Sequence, residues 1–197
     1  EETEGHSQRV TALVLELARE LGIRGQDLDH IRRGALLHDI GKMGIPDDVL
    51  RKPSSLTTDE FEIVKKHPDF AYELLSPISF LNKALEIPYC HHEKWDGTGY
   101  PHGLSGDNIP LFSRIMAVAD VYDALISERV YKEAFSHDKA VSIILSKNTP
   151  LPPMSVHKKF QSIRSIRLAG YRQHIYMNVL FYYRDNLHLG SQFIFLH

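Results

Sequence analysis

His38-Asp39-Ile40-Gly41-Lys42 closes a leucine-rich segment and decides how the rest of the chain is read. An imidazole beside a carboxylate offers two metal donors, and a glycine turn brings a lysine next to them. Adjacent His-Asp pairs also arise by chance, so the stretch alone is weak. It gains weight from a second one, His91-His92-Glu93-Lys94-Trp95-Asp96-Gly97-Thr98-Gly99-Tyr100-Pro101, which reads as its partner across a cleft.

The sequence around both stretches is helical. Val10, Leu13, Val14, Leu17 and Leu21 recur at helical spacing, and Gly22 is a stop. The spacing predicts a second helix from Asp27 through Ile31, Ala35 and Leu36 to His38. Gly41 and Gly44 break it, and Pro46 opens a short turn. Thr57-Thr58-Asp59-Glu60 has the capping-box pattern, announcing a helix through Phe61 and Val64 to His67. Pro68 restarts or kinks the chain before Ala71, Leu74 and Leu75.

Residues 80–92 read as another helix, with a kink or break at Pro88 before the paired histidines. Residues 94–110 hold four Gly and two Pro and read as a loop with its own turns. Residues 111–127 return to helical periodicity with Asp120 and Asp123 on one side, and Ser136 caps a further helix. The expected fold class is all-α, a helical bundle. After Thr149 the pattern changes: Pro150, Pro152 and Pro153 end the helix and a basic segment follows. Residues 176–183 and 192–196 look strand-like about a turn at Asp185-Asn186. Residues 1–147 are thus expected to form the helical domain. Residues 148–197 are expected to add the last helix and an irregular or β-hairpin tail.

The chain has 197 residues, 43% hydrophobic and 24% charged, enough for one globular core. No run has the apolar length to span a bilayer. The single cysteine, Cys90, excludes an internal disulfide framework and suits a cytoplasmic setting. Residues 1–138 carry 15 Lys/Arg against 24 Asp/Glu, and residues 139–197 carry 8 against 1. An acidic body favours cations and argues against wrapping long nucleic acid. Glu1 already stands inside a helical pattern, so an upstream segment is expected.

Of twelve histidines, His30, His102, His137, His157, His174, His188 and His197 read as structural or solvent-exposed. His6, His38, His67, His91 and His92 differ, because each sits near a helix end or on a face beside a carboxylate. Imidazole with carboxylate is the donor set for Zn, Mn or Fe. Glu2 and His6 share one helical face at i, i+4. Asp39 has two oxygens and can bridge two cations, the arrangement used in two-metal phosphoester hydrolysis. Lys42, one turn on, either opposes a phosphate oxygen or is a plain surface lysine.

Tyr100 either hydrogen-bonds a ligand or phosphate, or packs; Trp95 reads as a structural anchor. Asp120 and Asp123 lie in an apolar stretch and need compensation, a metal for one and a lysine or arginine for the other. Arg129, past the same helix, is placed to hold phosphate through two parallel bonds. Together these residues read as a metal-dependent phosphodiesterase, with His38, Asp39 and Lys42 at its catalytic centre.

The two stretches, with Gly44-Ile45-Pro46-Asp47 and the run from Arg114 to Leu125, resemble the HD-GYP subgroup of HD-superfamily phosphohydrolases over residues 5–147. The resemblance implies an all-α HD-type bundle that hydrolyses cyclic di-GMP to pGpG or on to GMP, with some members preferring cyclic GMP-AMP. It implies Glu2, His6, His38, Asp39, His67, His91, His92 and Asp120 as ligands of two or three divalent ions, Fe or Mn. Glu1 and Glu4 are alternatives to Glu2. Lys42, Tyr100, Asp123 and Arg129 are implied to face substrate. The resemblance further implies a bacterial signalling role, an upstream regulatory domain, and docking of a diguanylate cyclase (GGDEF) domain on the Gly-Tyr-Pro loop. Asn148-Thr149-Pro150-Leu151-Pro152-Pro153 departs from the family's Gly-Thr-x-Phe-Asp-Pro-like stretch. The competing readings are a catalytically weak binding or interaction module and a phosphohydrolase of other nucleotides.

Overall fold

The computed structural model describes residues 2–127 and 134–146, with side chains from Gly5 onward. The Glu2 side chain, Arg129 and the expected C-terminal helix and hairpin lie outside the described residues. The described chain is helical and has no strand, as expected from its periodicity; one isolated bridge pairs Asp96 with Ser105. None of its helices is long and apolar enough to cross a membrane.

The core is built around α7 (Leu111–Ile126), where an alternation of alanine and bulky aliphatic residues leaves little polar surface. Ile115, Met116, Val118, Ala119, Tyr122 and Leu125 are buried there against Val10, Val14 and Leu17 of α1 (Glu2–Glu20). Ile31 and Ala35 of α2 (Gln26–Leu36), which packs on α1, join the same core. Small residues set the spacing. A Cβ on Gly34 would come within 2.6 Å of the Ala84 carbonyl oxygen, so α2 lies backbone-close to the segment before α6 (Glu86–Cys90). α8 (His137–Ile144), capped by Ser136 as expected, closes the far side of α7 through Ala140 and Ile144.

The chain between α2 and α6 turns tightly. Ile40–Gly44 forms a 3-10 turn, and α3 (Asp47–Leu50) follows Pro46. α4 (Thr58–Val64) begins with the expected capping box: Glu60 N–H donates to Thr57 Oγ1 and Thr57 N–H donates back to Glu60 Oε2. α5 (His67–Leu75) starts where Pro68 permits, in a first turn that needs no proline N–H. One expectation is corrected. Residues 80–92 are not one helix broken at Pro88; they are a 3-10 turn (Ser79–Leu81), further turns, and then α6. Pro88 sits within the first turn of α6, where N–H groups have no intrahelical acceptor, so its missing donor costs nothing.

Gly41 fixes how the His38-Asp39 turn meets α5. A Cβ at this position would overlap the His67 carbonyl oxygen and crowd Ala71 N at 2.7 Å, and these are backbone atoms that cannot step aside. Gly41→Ala is therefore expected to lower stability by at least about 2 kcal/mol, as an overpacked buried site does. A denaturant titration showing an unchanged midpoint would contradict this packing.

Candidate metal centre

Five segments bring the singled-out residues together. His6 comes from α1, His38 and Asp39 from the turn after α2, and His67 from the start of α5. His91 and His92 follow α6, and Asp120 comes from α7. His6, His38, Asp39, His67 and His91 are all buried. One donor atom from each of Asp39, His67, His91 and His92 lies within 4.8 Å of the others, and the same holds for His6, His38 and Asp39. Asp39 belongs to both groups.

Local structure aims these donors. His38 Nδ1 lies 2.8 Å from the Ala35 carbonyl oxygen, and His67 Nδ1 lies 2.8 Å from that of Val64. His91 Nδ1 approaches the Ile87 and Pro88 oxygens at 3.1 and 3.2 Å. A carbonyl only accepts, so Nδ1 carries the hydrogen in each ring and Nε2 keeps its lone pair. The acceptors are last-turn carbonyls of α2, α4 and α6, where a helix end leaves oxygens short of donors; of these, Ile87 O also accepts His91 N–H. The same bond thus closes a helix and sets a tautomer.

The lone pairs then have nothing of their own to bond. Nε2 of His6, His38, His67 and His91 and Oδ1 of Asp120 are five of the eight buried side-chain atoms without a hydrogen-bond partner among the described residues. Buried polar atoms are rarely left so, and five in one place ask for a cation. From Asp39, the Nε2 atoms of His38, His67 and His91 stand 3.2, 3.6 and 3.9 Å away. His6 Nε2 is 3.2 Å from Asp120 Oδ1, without hydrogen-bond geometry. Imidazole nitrogens, an ionised carboxylate and buried lone pairs form a donor set that fits a divalent metal ion.

Electrostatics keep Asp39, His67, His91, His92 and Asp120 in their ligating forms. Asp39 is held well below the usual carboxylate range: burial opposes ionisation, but Lys42, 2.7 Å from Oδ2, and His38 outweigh it. Burial pushes His67 down to about 4, with Lys42 adding to it against the pull of Asp39. Burial likewise pushes His91 down to about 3, and His92 falls well below the ordinary value. His6 goes the other way. Burial lowers it, but Asp120 and Asp123 together lift it to about 9, so in the absence of a metal it carries a proton between two carboxylates. Asp120 is drawn down to about 2, its burial outweighed by His6.

The glycine-rich segment folds back on this cluster. Gly97, Gly103 and Gly106 have positive φ, as its turns demand. Gly99 is needed for another reason: a Cβ there would overlap Lys94 N and come within 2.6 Å of His92 O. Tyr100 N–H donates to that same His92 oxygen, its ring stacks on His92 with centroids 4.7 Å apart, and the Tyr100–Pro101 peptide is cis. Glu93, buried beside the cluster, accepts from the His102 and Leu104 N–H groups and ties down the loop. Trp95 does anchor, lying under Arg114 and accepting from Gly106 N–H at its carbonyl.

Asp123 stands where the expected compensation requires. Its side chain is 1% exposed; Arg9 donates to both oxygens, at 2.8 and 3.1 Å, and His6 Nδ1 lies 2.9 Å from Oδ2. Sequence reasoning missed Arg9 and Glu93. Arg9 carried a signal, three residues beyond His6 on the same helical face; Glu93 carried none beyond its place in the motif.

A family model described as HD domain matches residues 1–150. Among curated proteins, a cyclic di-GMP phosphodiesterase of Vibrio cholerae is 55% identical over 60% of this chain and 25% of its own length. A 3'3'-cGAMP-specific phosphodiesterase of the same organism is 43% identical over 72% of this chain and 31% of its own. The chain thus spans a quarter to a third of these relatives. Among solved structures, an HDG"Y"P protein from Bdellovibrio bacteriovorus superposes with a TM-score of 0.66 at 23% identity, over 82% of this chain and 52% of that one, which supports the fold.

The depressed histidines set a pH dependence for the metal-free protein. The folded chain keeps His67 and His91 neutral, whereas the unfolded chain takes up a proton at each below pH 6.5. Their contribution is complete above pH 6.5 and is lost as pH falls toward about 4. His6 adds no slope there, because a raised imidazole gives its full contribution below 6.5 and loses it only toward pH 9. Melting in chelator from pH 7 to 5 is expected to show a falling Tm, on the order of 1 kcal/mol per histidine per pH unit. His91→Asn should flatten the slope.

Proposed function

The chain belongs to the HD domain family, and from that membership we propose that it is a metal-dependent phosphodiesterase acting on cyclic di-GMP. The carrying observation is the placement of Asp39 in both donor groups. One carboxylate with two oxygens is shared between sites that otherwise draw on different helices, as a pair of adjacent ions requires. We assign one ion to Asp39, His67, His91 and His92, and another to His6, His38, Asp39 and Asp120; Glu2 is the candidate donor for a third. Fe or Mn suits these donors. Bound there, such ions supply Lewis acidity toward a phosphoester and lower the pKa of an attacking water.

The protein's own groups do the rest. Lys42 is half-buried against Asp39, where it holds the carboxylate in its ionised form and brings a positive charge to the place where phosphate charge develops. Tyr100, stacked on His92, offers a hydroxyl at the same wall. Arg129 completes the set as a candidate phosphate clamp. The products are pGpG or, after a second cleavage, GMP. A relative specific for 3'3'-cGAMP gives that dinucleotide standing as a second substrate. Hydrolysis in the cytoplasm, an upstream regulatory domain, and docking of a diguanylate cyclase domain on the Gly-Tyr-Pro loop belong to the same proposal, as does the assignment of catalysis to residues 1–147.

Protein loaded anaerobically with Fe or Mn is expected to convert cyclic di-GMP to pGpG, followed by chromatography of the nucleotides, with cyclic GMP-AMP in a parallel reaction. His38→Ala combined with Asp39→Ala should abolish turnover and lower bound metal in elemental analysis. A folded, metal-loaded protein that leaves both dinucleotides intact would overturn the proposal, and calorimetric binding without product would make it a dinucleotide receptor.

A further inference from the structure

We infer that Arg9 and Asp123 are positioning residues that aim His6 at its metal ion, and that Asp123 does not contact substrate; the inference rests on the two-ion reading above. The observations form a chain of bonds running inward from α1. Arg9 donates through Nε to Asp123 Oδ1 at 2.8 Å and through a terminal nitrogen to Oδ2 at 3.1 Å, a two-pronged grip on one carboxylate. Oδ2 in turn lies 2.9 Å from His6 Nδ1, and a carboxylate oxygen can only accept. The hydrogen of His6 therefore sits on Nδ1 when a metal occupies the other nitrogen. Nε2 then presents its lone pair toward Asp120 Oδ1, 3.2 Å away, and both atoms lack hydrogen-bond partners.

His6 needs this device because it lacks the one its neighbours use. His38, His67 and His91 are oriented by carbonyls at helix ends. His6 lies inside α1, between Glu2 and Glu20, where the carbonyls are spent on the helix. Its Nδ1 partner must come from another element, and α7 supplies it. Asp123 follows Asp120 by three residues, so one face of α7 delivers both the carboxylate that orients His6 and the one beside its lone pair. Arg9, three residues beyond His6, pairs the buried Asp123 so that the carboxylate remains where it is. An outer carboxylate that orients a ligating histidine typically governs metal affinity by roughly 10–100-fold.

The test is Mn(II) titration of chelator-treated protein, read by electron paramagnetic resonance, on Asp123→Asn and Arg9→Gln. In Asp123→Asn the amide oxygen is claimed by Arg9 and the amide N–H2 faces His6, which favours the wrong tautomer. Both variants are expected to weaken one class of Mn(II) site by roughly 10–100-fold and leave the other at wild-type affinity, His92→Ala marking which class is which. Arg9→Lys, which keeps the charge and gives up one prong, should fall between wild type and Arg9→Gln, and it carries the test if Asp123→Asn does not fold. Wild-type affinity at both classes, or equal weakening of both, overturns the inference. Unchanged metal binding with a raised KM for cyclic di-GMP would return Asp123 to the substrate. Because the titration needs no turnover, an inactive wild-type protein would count against the proposed activity and leave this inference to stand or fall by itself.

Discussion

A helix end leaves carbonyl oxygens short of donors, and three helices here answer that shortage with the imidazoles that line the candidate metal centre. The bond from Nδ1 to the last turn of α2, α4 or α6 is worth only about 1 kcal/mol by itself. Its structural effect is larger, because it points each Nε2 inward and removes the choice of tautomer. Helix C-termini also carry partial negative charge, so three of them turned toward one point favour a cation there. Fold and site therefore share the same hydrogen bonds.

What those bonds leave unsettled, Asp39 and the glycines settle. Asp39 reaches both donor groups and is kept ionised by Lys42. Its distance to His67 is not set by side chains alone, since Gly41 lets the two backbones touch. Gly99 does the same for the loop that ends on Tyr100. Both positions are absences of a methyl group, and in both the missing volume is occupied by backbone that a donor residue belongs to.

Much of this was legible in the sequence. Periodicity and the Thr57–Glu60 box located the helices, and the histidines stood out because each fell near a helix end or a carboxylate. The need of Asp123 for a lysine or arginine follows from its apolar surroundings, and Arg9 meets it. Pro88 misled because proline reads as a breaker, whereas the structure starts a helix two residues before it. In the sequence Gly99 reads as a turn residue; its actual role, close approach, depends on a fold-back that no local pattern encodes. Arg9 was missed because its partner stands 114 residues away.

The bond between His6 and Asp123 closes 117 residues of chain, while the donors of the other group all lie between Asp39 and His92. The two halves of the centre are thus of different topological age. One needs only the short-range docking of α2 through α6, and the other exists only after the first and seventh helices have met across the whole body. Loop closure makes distant pairings the slower ones to form. The shared carboxylate of Asp39 thus joins a group held by short closures to one held by the longest.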